Sequence, residues 1–194
     1  MEIIAISKTF PIQNIMPLID YGHIHFGENK VQEALDKWSV IKTQNKAIKL
    51  HLVGKLQTNK VKFALPLFDY IHSLDNLKLA EKIDNQQKKT GFRPKIFVQV
   101  NIGEEDQKNG LSVNSLEDFL IKCENELDLN IIGLMCIPPN DQNTETYFLE
   151  MNKLNKQFGY EELSMGMSDD YHFAIKHNST FLRIGSKIFG SRVK

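Results

Sequence analysis

Lys8 follows an apolar run, "IIAIS" at residues 3–7, that predicts a buried strand. A lysine after a strand is most often a solvated loop residue. A lysine held partly away from water instead loses its proton more easily, and its amine can attack an aldehyde to form a Schiff base. Residue type and position therefore leave two interpretations open, a surface lysine and a reactive one.

Arg183 lies between apolar neighbours in "FLRIG" at residues 181–185, near the end of another predicted strand. A half-buried guanidinium needs an acceptor, which is either an acidic side chain in a structural ion pair or a nitrogen or phosphate of a ligand. Gly185 and Ser186 follow, and Ser168 ends the preceding predicted strand. Glycine lets backbone amides approach a phosphate and serine hydroxyls add donors, so these residues resemble a phosphate-binding turn; a simple turn of small residues is the alternative.

Histidines also lie on predicted strands. His23 and His25 alternate on one of them, so their side chains are expected on the same face. A metal site would need a third ligand, and no carboxylate or cysteine pattern supplies one, which favours a packed or surface pair. His51 and His72 are more typical of hydrogen-bonded core histidines than of ligands. We therefore predict no metal site.

Short apolar runs alternate with amphipathic segments along the whole sequence. The predicted strands cover residues 2–7, 23–26, 48–54, 68–73, 95–102, 129–137, 162–166 and 181–185. Strands that alternate with helices form right-handed βαβ units and a parallel sheet. Eight such units predict a (β/α)₈ barrel, although the usual size is about 250 residues and this chain has 194. A flavodoxin-like or Rossmann sheet is the alternative. In a barrel, Lys8 and Arg183 would lie at the carboxyl ends of the strands, where ligands bind.

Local signals predict several helix boundaries. Pro17 fits the first helix only if that helix starts late, because proline has no N–H to donate. Asp75 is predicted to cap the helix after the fourth strand. Ser115 and Asp118 form a capping box for the helix after the fifth strand. Only a short segment follows the last strand, so one outer helix position is expected to be thinly filled.

Composition narrows the class of protein. With 24 basic and 24 acidic residues, the chain has no net charge to hold a polyanion, which argues against nucleic-acid and membrane-surface partners. No run approaches the ~18 consecutive apolar residues of a transmembrane helix. Cys123 and Cys136 are too few for a disulfide framework, which favours a reducing cytoplasm. The length is suited to one domain, residues 1–194.

A series of segments running from residue 5 to residue 192 resembles the YggS-type pyridoxal phosphate homeostasis proteins. The segments are "AISKTFP", "HFGENKVQEAL", "HLVGKLQTNKVK", "IHSLDNLKLAEKI", "VQVNIGEEDQKNGL", "GLMCIPP" and "LSMGMSDDYHFAIKHNSTFLRIGSKIFGSR". They occur in the family's order and span essentially the whole chain. The last segment, residues 163–192, is highly specific.

This resemblance implies a single (β/α)₈ TIM barrel of the alanine racemase N-terminal-domain type (PLP fold type III), with pyridoxal 5′-phosphate (PLP) as cofactor. Lys8 of the "SK" pair would form the Schiff base, and Arg183 of "RIGS" would face the pyridine nitrogen. Family members usually carry a helix ahead of the first strand, which this chain is expected to lack. The loss of this helix would affect stability or oligomeric state.

The remaining cofactor contacts are also implied by position. Ser168, Gly185 and Ser186 would hold the phosphate through hydroxyl and backbone donors, and Asn29 of "FGEN" would lie near the cofactor. None of these residues is expected to be catalytic.

The implied function is intracellular PLP homeostasis. A cytoplasmic monomer would buffer PLP and deliver it to PLP-dependent apoenzymes, without robust turnover. An arginine cannot protonate the pyridine nitrogen, so the ring stays a weak electron sink. Racemases with this arginine also use a tyrosine from a second domain, which this chain is expected to lack. The alternatives are a weak PLP-dependent amino-acid racemase that uses one of its own tyrosines, and a lysine aldolase that binds no chromophore.

Overall fold

The structure, a computed structural model, describes residues 1–105 and 109–190. Residues 106–108 and 191–194, which belong in part to the quoted family segments, lie outside the described residues. Strands and helices alternate from β1 to α8. The elements are β1 (Glu2–Ile6), α1 (Ile12–Asp20), β2 (His25–Glu28), α2 (Val31–Gln44), β3 (Lys49–Leu52), a 3₁₀ turn (Thr58–Lys60), α3 (Val61–Ala64), β4 (Tyr70–Leu74), α4 (Leu77–Thr90), β5 (Lys95–Val100), α5 (Val113–Glu126), β6 (Ile131–Cys136), α6 (Thr144–Gln157), β7 (Glu162–Met167), α7 (Tyr171–Lys176), β8 (Phe181–Ile184) and α8 (Ser186–Phe189).

The strands form one closed parallel barrel in sequence order. β8 pairs with β1 to close it, with Glu2 opposite Phe181 and Ala5 opposite Ile184. The predicted (β/α)₈ TIM barrel is therefore confirmed, and the open flavodoxin-like or Rossmann sheet is excluded. A chain of 194 residues suffices because α3 and α8 have four residues each and the strands are short.

Strand alternation divides the core into an inner and an outer layer. On β1, Ile4 and Ile6 belong to the barrel interior, whereas Ala5 between them packs in the layer shared with the helices. The other large interior side chains are Tyr70, Phe97, Met135 and Phe181. On β8, Arg183 has the same parity as Phe181, so the alternation that buries apolar residues also directs a guanidinium inward.

The first helix differs from its prediction. It begins at Ile12, directly after Pro11, and Pro17 lies inside it. Pro17 cannot donate, but its carbonyl still accepts from the N–H of Tyr21 at 3.0 Å, so the ladder continues beyond it. Burial of Ile15 holds the helix against the barrel, and packing outweighs the lost hydrogen bond.

Two predicted caps are also wrong by one to three residues. Asn76, not Asp75, caps α4, and its side chain accepts from the N–H of Leu79 at 2.9 Å. α5 begins at Val113, because the hydroxyl of Ser112 accepts from the N–H of Ser115 at 3.2 Å. In both cases a competing polar residue nearby provides the better geometry. The thin filling expected after the last strand matches the four residues of α8.

Candidate functional site

A cavity of about 340 Å³ opens at the carboxyl ends of the strands. It brings together every residue for which the sequence predicts a cofactor contact. These residues are Lys8, Asn29, Ser168, Arg183, Gly185 and Ser186. They come from the ends of β1, β2, β7 and β8, which explains how positions far apart in the sequence share one space.

Lys8 sits in a tight turn immediately after β1. The N–H of Phe10 donates to the carbonyl of Ser7 at 3.2 Å, which closes the turn around Lys8 and Thr9. Thr9 has a φ of 69°, a left-handed conformation that a β-branched residue adopts only with strain. The turn leaves Lys8 half-buried in the cavity wall.

A charged cluster from the end of β2 and from α2 holds this strained turn. The amine of Lys37 donates to the carbonyl of Ser7 at 2.9 Å, to Oε1 of Glu28 at 2.9 Å and to Oε1 of Glu33 at 3.1 Å. Oε1 of Glu33 also accepts from the N–H of Thr9 at 2.6 Å. Burial acts to raise the pKa of Glu33, but the Thr9 N–H and Lys37 outweigh it and hold that pKa below 4.5. We call Glu28, Glu33 and Lys37 the turn clamp.

Glu28 is the buried centre of the turn clamp. Its side chain is fully buried, and Oε1 also accepts from the hydroxyl of Ser7 at 2.8 Å and from the indole N–H of Trp38 at 2.9 Å. Sequence reasoning missed this role. The available signal was an acidic residue inside the otherwise apolar β2, which is unusual unless the carboxylate is paired.

Asn29 is positioned by a close approach of two strand ends. A Cβ added at Gly54 would collide with the backbone oxygen of Asn29 and lie 2.8 Å from its Cα. The glycine of "HLVGK" therefore lets the chain after β3 pass directly beside Asn29. Asn29 is half-buried and lines the cavity.

Arg183 supplies a buried cation at the base of the cavity. It is 4% exposed, and it donates from NH1 to Oγ of Ser164 and from NH2 to the carbonyl of Cys136, each at 2.7 Å. Within residues 1–105 and 109–190, both hydrogen-bond partners are neutral oxygens, so no structural ion pair occupies this guanidinium there. Burial lowers the pKa of Arg183, against the influence of Cys136 and Asp170. Among the described residues these two oxygens are the hydrogen-bond partners of Arg183, which leaves further N–H donors for a ligand acceptor.

Ser168, Gly185 and Ser186 line the side of the cavity formed by β7 and β8. The N–H of Gly185 donates to Oγ of Ser168 at 3.3 Å, and Ser186 begins α8. A Cβ added at Gly185 would make only ordinary contact with Ile6, 3.5 Å from its Cβ. Protein packing therefore does not demand glycine here, and the free space belongs to the cavity. An amine, a buried cation and small hydroxyl donors together suit an anionic aldehyde.

His25, His51 and His72 lie on barrel strands beneath this cavity. β2 begins at His25, so the prediction that His23 and His25 share a strand is wrong; His23 instead contacts the carbonyl of His25 at 2.8 Å through Nε2. His51 and His72 are fully buried and hydrogen-bonded, as predicted for core histidines. Across the described ranges, no group of three or more potential metal ligands occurs.

Comparison with known proteins places this chain in a class of barrels. Residues 2–193 match the family model of the alanine racemase N-terminal domain. A pyridoxal phosphate homeostasis protein of Pasteurella multocida is 35% identical over 202 residues, covering 99% of this chain and 87% of the relative. One of Haemophilus influenzae is 36% identical over 203 residues, covering 99% and 85%.

A solved structure agrees with these relatives. PipY of Synechococcus elongatus, solved with PLP bound, superposes with a TM-score of 0.89 at 32% identity, covering 98% of this chain and 92% of PipY. The chain therefore belongs to the family of the pyridoxal phosphate homeostasis proteins, within the alanine racemase N-terminal-domain class of barrels.

Proposed function

We propose that this protein is a single-domain PLP carrier of intracellular PLP homeostasis, which holds PLP as a Schiff base on Lys8 and buffers or delivers it. The observation that carries the proposal is the cavity itself, where Lys8, the buried Arg183 and the Ser168–Gly185 pair meet. The relatives named for PLP homeostasis and the PLP-bound PipY structure support it.

The residues present fit this cofactor. The amine of Lys8 and the PLP aldehyde condense with loss of one water, which anchors one end of the ring. Arg183 has donors left over for the pyridine nitrogen. Ser168, Gly185 and Ser186 offer hydroxyl and backbone donors to the phosphate, and Asn29 lines the wall beside them.

We further propose that the bound cofactor undergoes no robust turnover. PLP supplies an electron sink, but an arginine does not protonate its ring nitrogen, which keeps that sink weak. A racemase also needs an acid or base on the opposite face. All five tyrosines lie within the described residues, and none lines the cavity. Weak racemase activity is thus the less supported alternative.

The same proposal includes the compartment, the oligomeric state and the partners of the protein. A monomer in the cytoplasm would hand PLP to PLP-dependent apoenzymes, and the two unpaired cysteines suit a reducing compartment. In the ranges that the structure covers, none of the helices combines the length and the apolar character needed to span a bilayer.

Absorption spectroscopy and lysine mapping test the proposal. The protein reconstituted with PLP is expected to show a visible imine band, and borohydride reduction followed by peptide mapping should label Lys8. Lys8→Ala should abolish the label. Lys55→Ala is the matched control, because Lys55 also follows a barrel strand, β3, but does not line the cavity.

The outcomes separate the alternatives. Failure to bind PLP at all would reject the carrier and the racemase together. Labelling of another lysine would reject the assignment of Lys8. Racemisation of a common amino acid at ordinary enzymatic turnover, roughly 1–10³ per second, would reject the non-catalytic view.

A further inference from the structure

A continuous row of hydrogen bonds runs through the barrel interior and ends at Arg183. Nδ1 of His25 lies 2.9 Å from Nε2 of His51, and Nδ1 of His51 lies 2.9 Å from Nε2 of His72. Nδ1 of His72 lies 2.9 Å from Oγ of Ser164, which accepts from Arg183 at 2.7 Å. We call His25, His51, His72 and Ser164 the interior relay. It links the amino-terminal end of the barrel to the cavity at the other end.

The rings of the interior relay are held in place by aromatic neighbours. His51 stacks on Tyr70 with ring centroids 4.2 Å apart and planes 12° apart. His72 stacks on Phe97 at 4.4 Å and 21°. Phe181 packs against both from the barrel centre, at 5.7 Å from His51 and 6.2 Å from His72. These contacts fix the ring orientations of His51 and His72, so that their nitrogens stay directed at their hydrogen-bond partners.

Arg183 fixes the direction of the interior relay. A guanidinium only donates, so Oγ of Ser164 accepts from it. Among the described residues, the other hydrogen-bond partner of that hydroxyl is Nδ1 of His72. The hydroxyl proton is hydrogen-bonded when it points to this nitrogen, so Nδ1 of His72 is the acceptor in the favoured arrangement. His72 therefore carries its own proton on Nε2 and donates to His51.

The same logic continues to the far end of the barrel. His51 accepts at Nδ1, so it too carries its proton on Nε2 and donates to His25. The Nε2–H of His25 then faces Oε2 of Glu2 at 3.6 Å, which is a favourable carboxylate end point. Burial, and for His51 also its histidine neighbours, lowers the pKa of His51 and His72 well below 6.5, so both stay neutral.

We propose that the interior relay positions Arg183 for the cofactor and couples the site to protonation of His25, with Ser164 and His72 as positioning residues. The cofactor half of this inference rests on the proposed function; the proton arrangement does not. When His25 gains a proton on Nδ1, it can no longer accept from His51. His51 and His72 must then both move their protons to Nδ1, and Ser164 receives a donor from both sides. The hydroxyl proton loses its acceptor, and the hold on Arg183 weakens.

The groups around His25 set where this switch occurs. Burial lowers the pKa of His25 most, Glu2 on β1 raises it, and His23 lowers it. Lys49 on β3 lowers it and Asp69 ahead of β4 raises it. The ring of Tyr70 on β4 lies 6.3 Å from that of His25 and completes the surroundings together with His51.

The proton arrangement is tested first on the protein without PLP. In long-range ¹H–¹⁵N spectra of the ¹⁵N-histidine-labelled protein at about pH 7.5, above the ordinary histidine range, His51 and His72 should both show protonated Nε2 and bare Nδ1. A protonated Nδ1 on either ring overturns the relay. Because no cofactor is needed, this result stands apart from any failure of PLP binding.

Coupling to the site is tested on the PLP-loaded protein with Ser164→Ala. Loss of the hydroxyl leaves Arg183 and His72 without this partner, so the dissociation constant for PLP should rise about tenfold or more. Ser164→Thr, which keeps the hydroxyl, should restore most of the affinity. Ser179→Ala is the matched control, because Ser179 is a buried serine whose hydroxyl bonds to carbonyls outside the relay. Equal loss in Ser164→Ala and Ser179→Ala would show a structural effect and overturn the proposal.

The switch is tested by the pH dependence of the PLP absorption band. Because burial lowers the pKa of His25, the natural protein should show a transition below pH 6.5. His25→Asn, whose amide oxygen accepts but cannot be protonated, should abolish it. Glu2→Gln removes a group that raises the pKa of His25, so it should move the transition to lower pH. A band that does not titrate in the natural protein, or a transition that survives His25→Asn, overturns the coupling.

Discussion

Arg183 carries a positive charge in an almost fully buried position. Among the described residues, its hydrogen-bond acceptors are neutral oxygens alone. A buried charge with no counter-charge in contact lowers the stability of the empty barrel. A ligand that supplies an acceptor to the guanidinium would offset this cost. Lys8 lines the same cavity, and in the proposed function its amine would form the covalent bond to PLP whereas Arg183 would only bind. If the proposal holds, Lys8 anchors the cofactor and Arg183 recognises its ring.

Gly185→Ala tests the phosphate assignment at the scale of one methyl group. The new Cβ would lie 3.5 Å from the Cβ of Ile6, an ordinary contact, so the free energy of unfolding should change by less than about 1 kcal/mol. A methyl group at the cavity wall would still hinder close approach of a phosphate to the backbone amides. PLP affinity measured by titration should therefore fall at least about tenfold, or about 1.4 kcal/mol.

Gly133→Ala provides the contrast on β6. A Cβ at Gly133 would collide with the backbone oxygen of Glu162, so this variant should lose stability in urea unfolding. If Gly185→Ala binds PLP with unchanged affinity, Gly185 is a turn glycine and the phosphate lies elsewhere.

At the scale of elements, β2 and α2 act together as a support for the turn after β1. Glu33 and Lys37 lie one helical turn apart on α2, so both reach the same turn. Their partner Glu28 belongs to the strand that pairs with β1. β2 and α2 therefore maintain the strained conformation of Thr9, although neither element contains Lys8.

Lys37→Met should damage this support in a measurable way. The variant leaves Glu28 as a buried carboxylate without its cation, so the free energy of unfolding should fall by about 3–5 kcal/mol in urea titrations. Adding Glu28→Gln removes the uncompensated charge and should recover part of that loss. A loss below about 1 kcal/mol for Lys37→Met would mean that the turn clamp does not hold the turn.

The barrel and the residues at the cavity could be predicted from the sequence. The turn clamp and the interior relay could not, for a physical reason. Alternating strands and helices predicted the barrel, and the barrel rule placed Lys8 and Arg183 at one end. The turn clamp and the interior relay escaped prediction because each depends on the register between strands. A sequence pattern shows that His51 and His72 are buried, but it does not show which nitrogen meets which neighbour. Helix caps were missed by one to three residues because several polar residues compete at each boundary.

At the scale of the whole molecule, the polar interior makes the barrel sensitive to acid. Fully buried His51 and His72 sit inside the inner core, where a charged imidazole would lose its hydration. The unfolded chain has no such restriction, and its histidines protonate near pH 6.5. The difference in proton binding between the two states must appear in the stability of the fold.

Unfolding in urea at a series of pH values measures that difference. Because burial lowers the folded-state pKa of both residues, the unfolded chain binds more protons below pH 6.5, and stability present above that pH is lost as pH falls. Two protons give a slope of about 2.7 kcal/mol per pH unit between roughly pH 6 and pH 5, above the range where most carboxylates titrate. His51→Gln should reduce the slope by about half. His172→Gln, at an exposed position, is the control substitution. A free energy of unfolding that stays flat from pH 7 to pH 5 would contradict two neutral histidines in the barrel interior.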